Sequence, residues 1–117
     1  MKKVLIVDDS AFMRVTIRSI LEKSGYTVVA EAENGWLGVN RYFELKPDIV
    51  TMDITMPEMD GITSLKEIMR LNSKANVIML TAVGQQHVVK DAIVSGARGF
   101  VVKPFKEETF LSALARI

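Results

Sequence analysis

Five residues able to do chemistry stand directly after short apolar runs. Asp8 and Asp9 follow Val4-Leu5-Ile6-Val7, and Asp53 follows Ile49-Val50-Thr51-Met52. Thr81 follows Val77-Ile78-Met79-Leu80, and Lys103 follows Phe100-Val101-Val102. Carboxylates brought close together repel, so their joint ionisation is costly without a cation. A hard divalent ion that prefers oxygen ligands and keeps several waters relieves that cost, and Mg2+ fits. A carboxylate can also act as a nucleophile and form an aspartyl phosphate. Phosphoryl transfer mostly needs positioning and charge neutralisation around the moving group. The metal would hold one phosphoryl oxygen, the Lys103 ammonium a second, and the Thr81 hydroxyl with nearby backbone N–H groups a third.

These residues converge only if the elements carrying them do. The apolar runs, with Val28-Val29-Ala30 as a further member, are mostly continuous, the pattern of strands buried on both faces. Between them apolar residues fall on helical stripes: Met13, Ile17, Ile20 and Leu21; Val39, Tyr42 and Phe43; Ile62, Leu65 and Met69; Val89, Ala92 and Ile93; Phe110, Leu114 and Ile117. Gly25, Gly61 and Gly96 stand near helix ends, and Pro47 follows the second helix. Five repeats of strand then helix predict an α/β fold: a doubly wound five-stranded parallel sheet with right-handed crossovers. With the flavodoxin-like strand order 2-1-3-4-5, strands one and three meet at the switch point, where ligands bind at strand carboxyl ends. Asp8, Asp9 and Asp53 then share one pocket, flanked by Thr81 and Lys103.

The bulk composition is that of a soluble globule. The 117 residues suffice for one domain, 1–117, with no linker, repeat or low-complexity tract. Fifteen basic against fourteen acidic residues argue against a chain built to coat nucleic acid. The absence of cysteine excludes disulfides and thiolate metal sites and suits a reducing cytoplasm. No apolar run approaches membrane-spanning length, and Asp8 interrupts the first one too early for a signal peptide.

At Val4-Leu5-Ile6-Val7-Asp8-Asp9-Ser10, Asp53-Ile54-Thr55-Met56-Pro57-Glu58-Met59-Asp60-Gly61, Thr81-Ala82 and Val102-Lys103-Pro104-Phe105 the chain resembles the receiver domains of two-component response regulators. The likeness covers essentially the whole chain and is strongest to CheY-like chemotaxis members. It implies that Asp53 takes a phosphoryl group from the phosphohistidine of a sensor histidine kinase, without turnover as an enzyme. Mg2+ is then bound by Asp9, Asp53 and the backbone carbonyl of Thr55, and by Asp8 through water, while Lys103 bridges to the phosphoryl group. The Lys103–Pro104 peptide is expected to be cis. Thr81 would move toward the phosphoryl oxygen, vacating space for Phe100, where chemotaxis members often carry tyrosine. The fourth helix, fifth strand and fifth helix would report the change, and Ala82 would leave the pocket open. Thr55 and Val83 sit where the family tunes phosphoryl lifetime. The output is either docking on a flagellar motor switch protein or, given the abrupt end at Ile117, a further output domain of a longer regulator. No nucleic acid or membrane is implied for this domain.

Taken singly, each residue has a plainer reading. Asp8-Asp9-Ser10 could cap the first helix, Asp53 could be a turn residue, and Lys103 a solvated lysine. Together those readings require five coincidences. His87, with no second histidine or cysteine to share a metal, reads as a surface residue, and Trp36 as either packed or exposed. A haloacid dehalogenase-type phosphatase shares the aspartyl nucleophile, Mg2+, Thr and Lys. Its nucleophile ends strand one in an Asp-x-Asp pattern, whereas residue 10 here is serine. A flavodoxin-like FMN carrier would need a Ser/Thr/Gly-rich first turn, which is missing.

Overall fold

The computed structural model describes residues 2–82 and 85–117. Strands and helices alternate: β1 (Lys3–Val7), α1 (Ala11–Lys23), β2 (Thr27–Ala32), α2 (Gly35–Leu45), β3 (Ile49–Asp53), α3 (Gly61–Leu71), β4 (Val77–Ala82), α4 (Gln86–Val94), β5 (Gly99–Lys103) and α5 (Glu107–Ala115). All strand pairs are parallel, in the order β2-β1-β3-β4-β5 that the sequence predicts.

Strand alternation sends successive residues to opposite faces of the sheet. Leu5, Val7, Val50, Met52, Val77 and Met79 pack on one side with residues of α2, α3 and α4, including Val39, Leu65, Ile68 and Ala92. Val4, Ile6, Ile49, Ile78 and Leu80 pack on the other with Ile17 and Leu21 of α1 and Phe110 and Leu114 of α5. Two buried layers explain why the runs of β1, β3 and β4 are continuous.

The edge strands depart from that reading. In β5 only Val101 is buried, while Phe100 and Val102 face outward, and β2 is half-buried along most of its length. An edge strand lacks a second neighbour whose helix would cover its outer positions. Two stripe residues also turn outward: Phe43 of α2 and Ile93 of α4 are exposed. Ile117 lies past the end of α5 yet still packs against its side of the core. Trp36 and His87 are exposed. No helix of the described residues is long and apolar enough to cross a membrane.

Side chains that accept from free backbone N–H groups start three of the helices. Ser10 accepts from Met13 at 3.2 Å, Asn34 from Leu37 at 2.8 Å and Asp60 from Thr63 at 2.8 Å. Each of these caps lies in a loop just beyond a strand's carboxyl end. The segments that order the helices therefore also border the site.

Candidate phosphoacceptor site

Asp53 is the last residue of β3 and is buried. Its backbone is fixed from two directions. The Ile54 N–H donates to the Leu80 carbonyl of β4 at 3.1 Å, and the Gly61 N–H donates to the Ile54 carbonyl at 2.7 Å. Gly61 approaches so closely that a Cβ there would lie 2.0 Å from the Asp53 carbonyl oxygen. The glycine that opens α3 is thus what lets the 56–60 loop fold back beside Asp53.

Asp8 is fully buried beyond the end of β1. Its Oδ1 accepts from the Ser10 N–H at 2.9 Å, and its own N–H donates to the Ala32 carbonyl at 3.0 Å. Its carbonyl accepts from Arg14 Nη1 at 2.6 Å. Arg14 is itself held by Glu31 at 3.2 Å, and Glu31 also pairs with Arg18 at 2.7 Å. Lys103, from the end of β5, reaches across the sheet to join the two acidic positions. Its Nζ lies 2.9 Å from Asp8 Oδ2 and 3.3 Å from Asp53 Oδ1. The exposed Asp9 completes the acidic group: carboxylate oxygens of Asp8, Asp9 and Asp53 all lie within 4.8 Å of one another.

The electrostatics follow from this crowding. Burial pushes the Asp53 carboxyl from its ordinary 3.8 up to about 6; Lys103 opposes the rise, while the Asp8 and Asp9 charges add to it. Burial draws the Lys103 ammonium down, but its hydrogen bond to Asp8 and the charges of Asp53 and Asp8 outweigh that and raise it. Three carboxylates facing one ammonium leave a negative surplus. Oxygen donors with that surplus fit a hard divalent cation such as Mg2+.

Thr81, buried on β4, has one hydroxyl proton and two acceptors at 3.3 Å, its neighbour's carbonyl on Ala82 and Gln85 Oε1. Gln85 Oε1 also accepts from the Ala82 N–H at 2.8 Å, and Gln85 Nε2 donates to Thr55 Oγ1 at 2.8 Å. The structure therefore brings together Asp8, Asp9, Asp53 and Lys103 as the sequence predicts. It places Thr55 on the loop after β3 and Thr81 near the end of β4, joined through Gln85. The Lys103–Pro104 peptide is cis. Phe100 is 44% exposed and pairs in register with Met79, two residues before Thr81 on β4. Val83 lies outside the described residues.

The sequence reading missed three supports. Gln85 carries no local signal beyond its position at the start of α4. Arg14 and Glu31 carry no local signal because they pair across different elements, α1 and β2. Gly61 was read as helix punctuation, and its approach to Asp53 emerges only from the packing.

The family model of the response regulator receiver domain matches residues 4–115. The chain is 58% identical to the chemotaxis protein CheY of Bacillus subtilis, over 96% of this chain and 93% of that one. It is 42% identical to a protein-glutamate methylesterase/protein-glutamine glutaminase of Archaeoglobus fulgidus, covering 97% of this chain but 33% of that protein. Among solved structures it is similar to CheY in the CheX-CheY-BeF3-Mg2+ complex of Borrelia burgdorferi. That match has a TM-score of 0.95 at 40% identity, over 98% of this chain and 87% of the other. On the family match and these full-length likenesses, the chain belongs to the response regulator receiver domains, among the CheY-like chemotaxis regulators.

Proposed function

We propose that Asp53 accepts a phosphoryl group from the phosphohistidine of a sensor histidine kinase, and that the phosphorylated chain then engages an output partner. The observation carrying this reading is the Lys103 ammonium between Asp8 and Asp53, beside a cluster of three carboxylates. An ionised Asp53 oxygen attacks phosphorus, the phosphorus–nitrogen bond of the donor breaks, and the departing imidazole takes a proton from solvent. Lys103 follows the charge from the carboxylate to a phosphoryl oxygen. The Thr81 hydroxyl and the Ala82 N–H are donors for another.

Asp9, Asp53 and the Thr55 carbonyl, with Asp8 through water, would hold Mg2+. Bound there, it supplies charge neutralisation for the incoming phosphoryl group. The Borrelia structure, solved with BeF3 and Mg2+, supports this assignment. The product is one acyl phosphate per chain, so the protein acts as a signalling acceptor and not through turnover of a small ester.

The output surface is α4, β5 and α5. Exposed Ile93, Val94, Phe100 and Val102 leave apolar area there, and a cleft of about 420 Å³ lies between Phe100 and Arg116. Uncovered apolar side chains of this kind suit a protein partner. The relatives favour a flagellar motor switch protein, met in the cytoplasm. The Archaeoglobus match, a third of a longer protein, supports a second reading in which this domain precedes its own output domain.

Incubation with Mg2+ and a small acyl phosphate, followed by intact-mass measurement and peptide mapping, tests the acceptor. One phosphoryl group on Asp53 and none in Asp53→Asn is the expected result; modification elsewhere, or none, overturns it. A phosphorylation-dependent pull-down from native cytoplasm separates the outputs. Enrichment of a motor switch protein supports the first reading, and recovery of only a DNA-binding fragment of the same gene product supports the second.

A further inference from the structure

We propose that Gln85 is a positioning residue whose amide oxygen stands in for a phosphoryl oxygen in the resting chain and must leave when Asp53 is phosphorylated. The inference rests on the phosphoacceptor reading and extends it to a residue outside the acidic cluster. The two donors proposed to receive a phosphoryl oxygen beside β4 are the Thr81 hydroxyl and the Ala82 N–H. The Ala82 N–H donates to Gln85 Oε1 at 2.8 Å, and the Thr81 hydroxyl has that same atom within reach at 3.3 Å, as an alternative to the Ala82 carbonyl. Because the Ala82 N–H can only donate, that end of the amide is oxygen, and Nε2 is the end that donates to Thr55 Oγ1 at 2.8 Å.

Position makes the contact consequential. Gln85 is the residue before the first turn of α4, where a side chain would ordinarily cap its own helix, and among the described residues this one makes no such cap. It reaches back instead, tying the β3–α3 loop at Thr55 to the end of β4. The Val88 and Val89 N–H groups both donate to the Gln85 carbonyl, at 3.0 and 3.3 Å, so the helix start is built on the same residue. A phosphoryl oxygen that takes the Thr81 and Ala82 donors releases the Gln85 amide. The start of α4, one border of the output face, is then freed from the loop carrying Thr55. The coupling follows from competition for two donors, and a ligand shifts such an equilibrium only by its differential affinity for the two states.

The test titrates beryllofluoride, a stable mimic of the aspartyl phosphoryl group, into the full chain with Mg2+ present, read by fluorine NMR. Gln85→Ala removes the competing oxygen and is expected to bind about fivefold more tightly than wild type, the scale of one neutral hydrogen bond. Gln85→Glu keeps an acceptor for both donors and sets a charge beside the incoming anion. It is expected to bind at least tenfold more weakly, since like charges at that range repel strongly. Backbone amide signals of the first turn of α4 in Gln85→Ala should also move toward those of the beryllofluoride-bound wild type. Equal or weaker binding by Gln85→Ala, with circular dichroism showing a folded chain, overturns the inference while leaving the acceptor reading intact. Failure of wild type to take up beryllofluoride overturns both.

Discussion

A carboxyl raised from 3.8 to about 6 on folding holds a proton across a pH interval in which the unfolded chain has released it. For Asp53 the native state is therefore favoured at low pH, and that advantage disappears as pH rises through about 6. The interval corresponds to about 3 kcal/mol. In chelator-treated protein, Asp53→Asn is expected to raise unfolding stability by up to about 3 kcal/mol at pH 7 and to give almost no gain near pH 4. Urea titrations at the two pH values measure it, and an equal gain at both would refute the assignment. Thr51, in the middle of β3, is a second residue with a cost attached. Its hydroxyl is fully buried and, among the described residues, has no hydrogen-bond partner. Thr51→Val keeps the shape and removes the orphaned polar atom, and should stabilise the chain by ~1 kcal/mol in the same titration.

At the next scale, the connections between elements hold the backbone in positions that side chains do not easily tolerate. Gly61→Ala would put its Cβ 2.0 Å from the Asp53 carbonyl and 2.8 Å from the Ile54 Cα, both backbone atoms that cannot swing aside. Roughly 2–4 kcal/mol of destabilisation is expected, together with loss of phosphoryl uptake, because the displaced atoms belong to the proposed acceptor Asp53 and its neighbour Ile54. Lys46 ends α2 with φ at 46°, in the left-handed region that favours glycine. Lys46→Gly should raise stability by about 0.5 kcal/mol, seen as a shifted urea midpoint at unchanged slope. The alternation of apolar runs and helical stripes made the parallel α/β architecture readable in the sequence, whereas the strand order 2-1-3-4-5 was a hypothesis from the flavodoxin-like arrangement that the strand pairing bears out. Asp8, Asp53, Thr81 and Lys103 were readable because strand ends in parallel sheets are where such residues act. Phe43, Ile93, Phe100 and Val102 were not, since a stripe or run marks apolar side chains without saying which of them a neighbouring element covers. Gln85 was missed because its three partners are neither periodic nor adjacent to it in one element.

For the molecule as a whole, a cation that binds only the assembled acidic group adds its binding free energy to folding. At a Mg2+ concentration ~100 times its dissociation constant the gain is about 2.7 kcal/mol, or ~10 °C in Tm for a domain of this size. Thermal unfolding of wild type and Asp9→Asn at neutral pH tests it. The variant should lose most of the metal-dependent rise, and retention of the full rise would remove Asp9 from the ligand set.

The bridge from Lys103 to Asp8 spans 95 positions of the chain. The ammonium arrives from the last strand, the partner carboxylates from just after the first strand and from the third. During synthesis the acidic residues emerge from the ribosome long before the lysine that pairs with them. A nascent chain, or a proteolytic fragment ending before β5, holds Asp53 without its counter-charge. Assembly of the charged cluster thus waits on the fifth strand, with only α5 still to follow.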